Sequence, residues 1–385
     1  MSISSLTFNG LAAMARLRHP QRALALSAAL LWALTPLAAH SQDRPLGWKA
    51  TAVPLINFSS DDGTGYGLRL NLFHYNGHTV PYARAYSLQA FATTGGKQVH
   101  RIRLDAPNIK PGQRLALEAV FEKEDFANYF AGLDSHALKA YSKEEKTYSQ
   151  TNPRLQLTSI STLRAPWQSR LVLRLGHRDI HANAPATGLL DQVRPLGYKG
   201  GLSLQGTAGL RLDTRDDYND SRRGLLEEAL VAYNWGRGGA YSGVRLGWQH
   251  RHFRPLGPTL VLAHRLQADM SWGDIPFYDQ LTLGGSDTVR GLSASRQRDQ
   301  ARLLGNIELR WKGLRLSHSQ RLYAGLLLFA DVGQTFPRRQ GPAADQWERG
   351  LGSGIRLHWH STIVRADYGL SADGSGLYIT FSQVF

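Results

Sequence analysis

The chain reads as an all-β protein, a transmembrane antiparallel β-barrel of about sixteen strands with a long loop between the eleventh and twelfth. Three observations predict this. Runs of roughly 9–13 residues recur from Gly47 onward, the length a tilted membrane strand needs. Several of these runs alternate apolar and polar residues, as half-buried strands do. The connections between them sort by parity into short and long, as in a barrel with short turns at one rim and long loops at the other.

Strands are expected near 47–58, 65–75, 82–92, 98–106, 113–123, 153–164, 167–178 and 202–213. The second half adds 223–234, 240–251, 259–272, 301–312, 321–333, 349–359, 361–370 and 375–385. In the eleventh, Leu260, Leu262, Leu266, Ala268, Met270 and Trp272 share one face, with Arg265, Gln267 and Asp269 on the other. In the seventh, Leu171, Leu173 and Leu175 oppose Arg170, Arg174 and Arg178. A soluble sandwich would alternate as well, so periodicity leaves both architectures open. Loop lengths separate them. Connections after even-numbered strands are short (76–81, 107–112, 165–166, 313–320 and His360), and the long ones follow odd-numbered strands (124–152, 179–201, 273–300 and 334–348). The last strand, LYITFSQVF, is expected to carry Leu377, Ile379, Phe381 and Phe385 on one face, and it stops on an aromatic residue.

Composition narrows the function classes. The absence of Cys excludes disulfides, thiolate catalysis and Cys-ligated metals. Residues 1–41 are expected to be a signal peptide: Arg16, Arg18 and Arg22 form its basic end, an apolar run follows, and Ala39-His40-Ser41 fits a small-x-small cleavage site. The long basic region suggests Met14 as the true start. The mature chain, 42–385, contains no stretch able to span a bilayer as a helix, which leaves a soluble exported protein or a closed barrel. A barrel with its first strand already at Gly47 leaves no room for an amino-terminal periplasmic domain. The net charge of +15 comes with no aromatic-basic platform or basic helix, so nucleic acid is not an expected partner. Lumen arginines and contact with anionic outer-membrane lipid, lipopolysaccharide included, account for it.

Tyr278 to Lys312 is the stretch on which the rest depends. It opens as a Gly-rich, non-periodic loop of about 28 residues, a length that is usually functional or disordered. Pinning such a loop costs roughly 3 kcal/mol of closure entropy, so something must hold it. Arg290, alone among small residues, can make a bidentate bond to a carboxylate. Glu308 lies on the polar face of the twelfth strand with Arg302, Asn306 and Arg310, and Asp331 interrupts the apolar strand LLLFADVG, where it needs a partner.

LGGSDTVRGL (283–292) resembles the VRGF/Y loop signature of BamA/TamA-type outer-membrane barrels, the bacterial surface antigen superfamily. LRLDTRDDYNDSRRG (210–224) resembles the D-x-R…P-x-x-G turn of that family, with its Pro missing, and LLLFADVGQTF resembles its F-x-D-x-G strand. GLGSGIRLHW and IVRADYGLS resemble its last two hairpins, and the terminal Phe381 and Phe385 resemble the carboxyl-terminal sorting signal of outer-membrane barrels. The likeness covers 202–385 well and the first half only in general character. It implies that the loop is inward-folded, that Val289, Arg290, Gly291 and Leu292 form its tip, and that Arg290 bridges inside the lumen to Glu308, Asp331 or both. Leu292 stands where an aromatic usually follows VRG, so a less firmly held tip is expected.

The resemblance further implies a bacterial outer-membrane factor that inserts or exports protein, or moves lipid, without catalytic chemistry, through a weak seam between first and last strands. Without periplasmic modules of its own, a separately encoded periplasmic partner would recruit the substrate. Two other readings stand beside it. One is a passive anion-preferring pore lined by Arg174, Arg178, Arg211, Arg265 and Arg356. The other is a barrel enzyme, for which the sequence nominates no site, since GGSDT lacks the final Gly of a nucleophile elbow. His358 and His360 share a strand face but lack a third ligand in sequence, so neither a metal nor any cofactor is expected.

Overall fold

The computed structural model describes residues 46–237, 241–318, 322–359 and 362–385. The expected signal peptide lies outside them. Alternation becomes strand wherever the sequence shows it, beginning with β1 (Leu46–Ser59), β2 (Gly63–Asn76), β3 (Arg84–Thr93), β4 (Lys97–Lys110) and β5 (Gln113–Asn128). There follow β6 (Thr147–Arg164), β7 (Trp167–Ala182), β8 (Gly200–Asp213), β9 (Gly224–Arg237), β10 (Tyr241–Pro255) and β11 (Leu260–Gly273). Two three-residue strands, β12 (Leu281–Leu283) and β13 (Gln297–Asp299), belong to the long loop. The wall then resumes with β14 (Ala301–Ser317), β15 (Leu322–Phe336), β16 (Glu348–Trp359), β17 (Thr362–Ser371) and β18 (Gly374–Phe381). All wall pairs are antiparallel between neighbours in sequence, except that β14 pairs β11 across the loop and β18 closes on β1. The result is a closed barrel of 16 strands.

The two faces of each strand meet different surroundings. Leu171, Leu173 and Leu175 are 55%, 52% and 47% exposed, and the same pattern runs round the outer wall through Leu246, Leu266, Leu328, Leu351 and Ile355. A contiguous apolar surface of this extent is untenable in water and is what lipid requires. Trp48, Trp167, Trp235, Trp248 and Trp311 stand on that surface, amphipathic rings suited to the membrane–water interfaces.

At the long-loop rim, the β5–β6 and β7–β8 connections fold over the opening. Tyr129, Leu138, Tyr148, Ile180, Leu189, Leu190 and Phe277 pack there into an apolar cap, with α1 (Leu189–Val193) supplying two of them. Arg296 ties this cap down, donating to Asp373 at 2.6 Å and to the carbonyl of Leu133 at 2.9 Å.

The structure departs from the sequence expectation at three places. The long loop is not irregular throughout: β12 and β13 pair as a small hairpin inside the lumen. Strands at the long-loop rim run further than the membrane requires, β6 starting at Thr147 and β15 ending at Phe336. The last strand ends at Phe381, so Phe385 does not share the outer face of Leu377. Ser382 takes a left-handed φ of 69° and turns the chain inward, and Phe385 is buried in the lumen against Phe253, Val261 and Ala263. The Arg310 guanidinium accepts no hydrogen bonds and donates one to the Phe385 carbonyl at 3.1 Å, while stacking 4.9 Å from its ring. A charge-assisted bond and an apolar pocket outweigh continuation of the ladder.

Candidate functional site

The loop between β11 and β14 enters the barrel and presses its tip against β15, β16 and β17. Close approach is possible because the wall there lacks side chains. A Cβ at Gly350 would stand 2.4 Å from the Arg290 carbonyl oxygen, and one at Gly369 would stand 2.7 Å from its carbonyl carbon. Gly291 itself has a φ of +94°, a conformation that favours glycine, and its amide donates to the Tyr378 hydroxyl at 3.2 Å.

Arg290 is fully buried and saturated with carboxylates. Its Nε and Nη2 donate to the two oxygens of Asp331, each at 2.8 Å, the bidentate geometry that suits guanidinium. Nη1 donates to Glu308 at 2.8 Å and to Asp367 at 3.1 Å. The backbone amide of Arg290 adds a third tie to Asp331 at 3.1 Å. The guanidinium carbon lies 3.4 Å from the centre of the Phe329 ring, which supplies the aromatic surface absent at position 292. Val289 and Leu292 are buried with Leu283 and Leu304, so Leu292 holds the tip through packing.

Around this centre the charges form a wider lattice. Arg310 donates to Glu308 at 2.8 Å, and Arg356 donates to Asp367 at 2.5 Å and to Gln383 at 2.8 Å. Asn306 donates to Asp331 and to the Thr288 carbonyl, both at 2.7 Å. Arg265 donates to Asn306 at 2.9 Å, and Arg365 reaches Asp287 at 3.0 Å. The tie therefore extends from the loop through Glu308 and Arg310 to Phe385, and through Asp367 and Arg356 to Gln383. Loop and carboxyl terminus are fastened to one network.

Of the five lumen arginines read from sequence, Arg265 and Arg356 join this network. Arg211 sits near Glu228 at 3.5 Å, and Arg174 donates to Gln156 at 2.8 Å. Arg178 donates to Gln150 at 2.7 Å and stacks 4.8 Å from Tyr278. His358 faces the lumen beside Asp220, at 3.2 Å without hydrogen-bond geometry, and His360 lies outside the described residues. Sequence reasoning missed Asp367, Tyr378 and the two wall glycines. Asp367 was legible by the argument used for Asp331, since IVRADYGLS places a carboxylate in a largely apolar strand. The glycines carry no such signal, because only the loop's approach gives them a role.

Beside the loop tip a polar chamber of about 510 Å³ opens towards the long-loop rim, lined by Asp61, Lys97, Glu124, Arg178, Thr288 and Tyr378 among others. Opposite it, the β8–β9 turn covers part of the short-turn rim. Asp220 of that turn accepts from Lys312 at 2.9 Å and from Gln383 at 3.4 Å. Arg222 of the same turn donates to the carbonyls of Gly257 and Pro258 in the next turn.

The closing junction of the barrel is short. β1 and β18 share two register pairs, Phe58 with Ile379 and Ser59 with Tyr378, extended by a bond from the Ser60 amide to the Leu377 carbonyl at 3.0 Å. By contrast, β1 pairs with β2 along its whole length, from Leu46 to Ser59. Register pairing stops two residues before β18 itself ends, and the chain then turns inward at Ser382, so the β1 edge from Leu46 to Asn57 has no register partner on β18.

Comparison with known proteins agrees with this geometry. The family model described as the Omp85 superfamily domain matches residues 92–376. No curated protein sequence matches the chain. Among solved structures, BamA from Haemophilus ducreyi lacking POTRA domains 1–3 is similar with a TM-score of 0.60 at 12% identity, covering 86% of this chain and 70% of that one. CdiB from Escherichia coli gives 0.58 at 13% identity over 90% of this chain and 63% of that one. CdiB from Acinetobacter baumannii gives 0.53 at 11% identity over 87% and 60% respectively. With a 16-strand barrel, a lumen loop and a family match over most of its length, the chain belongs to the Omp85 superfamily and is an outer-membrane barrel.

Proposed function

We propose that the barrel acts in insertion or export of protein, or movement of lipid, at the outer membrane, and that it works by opening the junction between β1 and β18 without reaction chemistry. The observation that carries this reading is the two-pair junction. An unpartnered strand edge at membrane depth leaves backbone donors and acceptors without partners, at a cost of several kcal/mol per group. Such an edge is a template for an incoming strand. The Arg290 network holds the loop and the carboxyl-terminal residues inside while the wall rearranges. A separately encoded periplasmic partner recruits the substrate, and the outer wall meets lipid and lipopolysaccharide.

Photo-crosslinking from Trp48 on the β1 edge, in native membranes, tests this. Capture of a second protein chain or of lipopolysaccharide during its transit supports the reading. Capture of bulk phospholipid alone, in growing cells, would count against it. The pore reading predicts steady anion-selective conductance in a planar bilayer, whereas a lumen filled by the docked loop predicts rare, irregular openings.

A further inference from the structure

The outer wall carries a polar cluster that barrel assembly does not explain. His250 and His252 lie two residues apart on β10, on the same face as the exposed Leu246 and Trp248. His264 on β11 is the register partner of His252, and Glu227 on β9 is the register partner of His250. Their strand neighbours Phe253, Ala263 and Arg265 point inward and are buried, so the three imidazoles and the carboxylate face outward. The position is near the short-turn rim, a few residues from Pro255 and Gly224.

We propose that this cluster is a binding site for a divalent transition metal of the zinc class, with His250, His252 and His264 as ligands and Glu227 as their support. Three features converge on it. The Nε2 atoms of His250 and His264 face each other at 3.2 Å. Two imidazole nitrogens on a tetrahedral zinc, each at about 2.0–2.1 Å, stand about 3.3 Å apart. The ring centres lie 5.2 Å apart for His250 and His264, 5.3 Å for His252 and His264, and 6.2 Å for His250 and His252. Rings sharing one tetrahedral zinc would have centres about 5.2 Å apart. Lastly, Nδ1 of His250 is 2.5 Å from a Glu227 oxygen. A carboxylate on the far nitrogen fixes the tautomer that presents Nε2 and orients the ring, as behind most metal-bound histidines.

Among the described residues no three such side chains yet stand at full ligand geometry. His250 and His264 converge, and His252 completes the set by turning its ring. Two ligands spaced by one residue on a strand, with a third on the neighbouring strand, place three nitrogens on one side of a sheet. The fourth position then opens towards the interface between lipid and water. Neutral imidazole selects zinc, copper or nickel over magnesium and calcium, which prefer oxygen.

The test uses tag-free, folded full-length protein in detergent at mildly alkaline pH, where imidazole is neutral. Equilibrium dialysis with Zn²⁺ should give one ion per chain, Co²⁺ should show the visible absorption of a tetrahedral site, and Mg²⁺ should not compete. His250→Ala and His264→Ala should each abolish binding, His177→Ala should leave it unchanged, and Glu227→Gln should weaken it about 10–100-fold. The electrophoretic shift between folded and heated barrel, measured for every variant, separates loss of the site from loss of fold. Absence of stoichiometric zinc binding in the folded wild-type protein, or binding that survives His264→Ala, would overturn the assignment.

Discussion

At the scale of single residues, Arg290 matters because of what it would leave behind. Its removal strands Asp331 most severely, since Glu308 keeps Arg310 and Asp367 keeps Arg356, whereas Asp331 loses its cationic partner and retains two neutral donors, the Asn306 amide and the backbone amide of residue 290. Breaking a buried pair from one side costs about 3–5 kcal/mol, as much as or more than the roughly 3 kcal/mol of loop closure. Arg290→Ala is therefore expected to release the loop, seen as new protease cleavage between Gly284 and Arg298 in the folded barrel. Arg290→Lys should fail nearly as badly, because an ammonium cannot reproduce the two parallel bonds to Asp331. Adding Asp331→Asn to Arg290→Ala should recover part of the loss, since a stranded charge no longer remains. Unchanged protease resistance in Arg290→Ala would exclude the loop-holding role.

At the scale of elements, the loop depends on the bareness of the wall as much as on its charges. Gly350→Val and Gly369→Val add branched side chains where the Arg290 backbone lies. Each is expected to displace the loop with every member of the charge network still present, and to give the cleavage pattern of Arg290→Ala. The turn between β8 and β9 offers a pH test. Burial alone would raise the Asp220 carboxyl, but His358 and Lys312 outweigh it and hold the group well below the ordinary carboxylate range. A carboxyl lowered in this way contributes stability above its unfolded value, about 3.9, and loses it only as pH falls through the lower folded value. Labelling at Asn219→Cys should therefore report a docked turn down to pH about 4 and a freed one only below it. Asp220→Asn should free the turn at neutral pH.

At the scale of the whole molecule, the question is whether the junction of β1 and β18 opens. The chain has no Cys, so Phe58→Cys with Ile379→Cys introduces a single possible disulfide across register partners. The oxidised protein is expected to lose its insertion or export activity and to regain it on reduction, with each single variant active throughout. Equal activity in the oxidised and reduced states would show that the wall works closed. Strand existence, strand order and the sorting of loops were legible in sequence because each is local. Alternation over a dozen residues sets which side chains meet lipid, and parity follows once the strands are counted. The last strand misled at its end because alternation cannot register Ser382 turning inward, or the pocket of Phe253, Val261 and Ala263 that receives Phe385.

By itself the sequence determined an antiparallel lipid-facing wall and a long loop carrying a lone arginine among small residues. Those properties depend on neighbours along the chain. Tertiary structure alone decided that Asp367 joins Glu308 and Asp331 around Arg290, that Gly350 and Gly369 make room for the loop, and that His250 and His264 converge across two strands. Each of these depends on register between strands distant in sequence, and register emerges only when the barrel closes and every strand takes its place against the next.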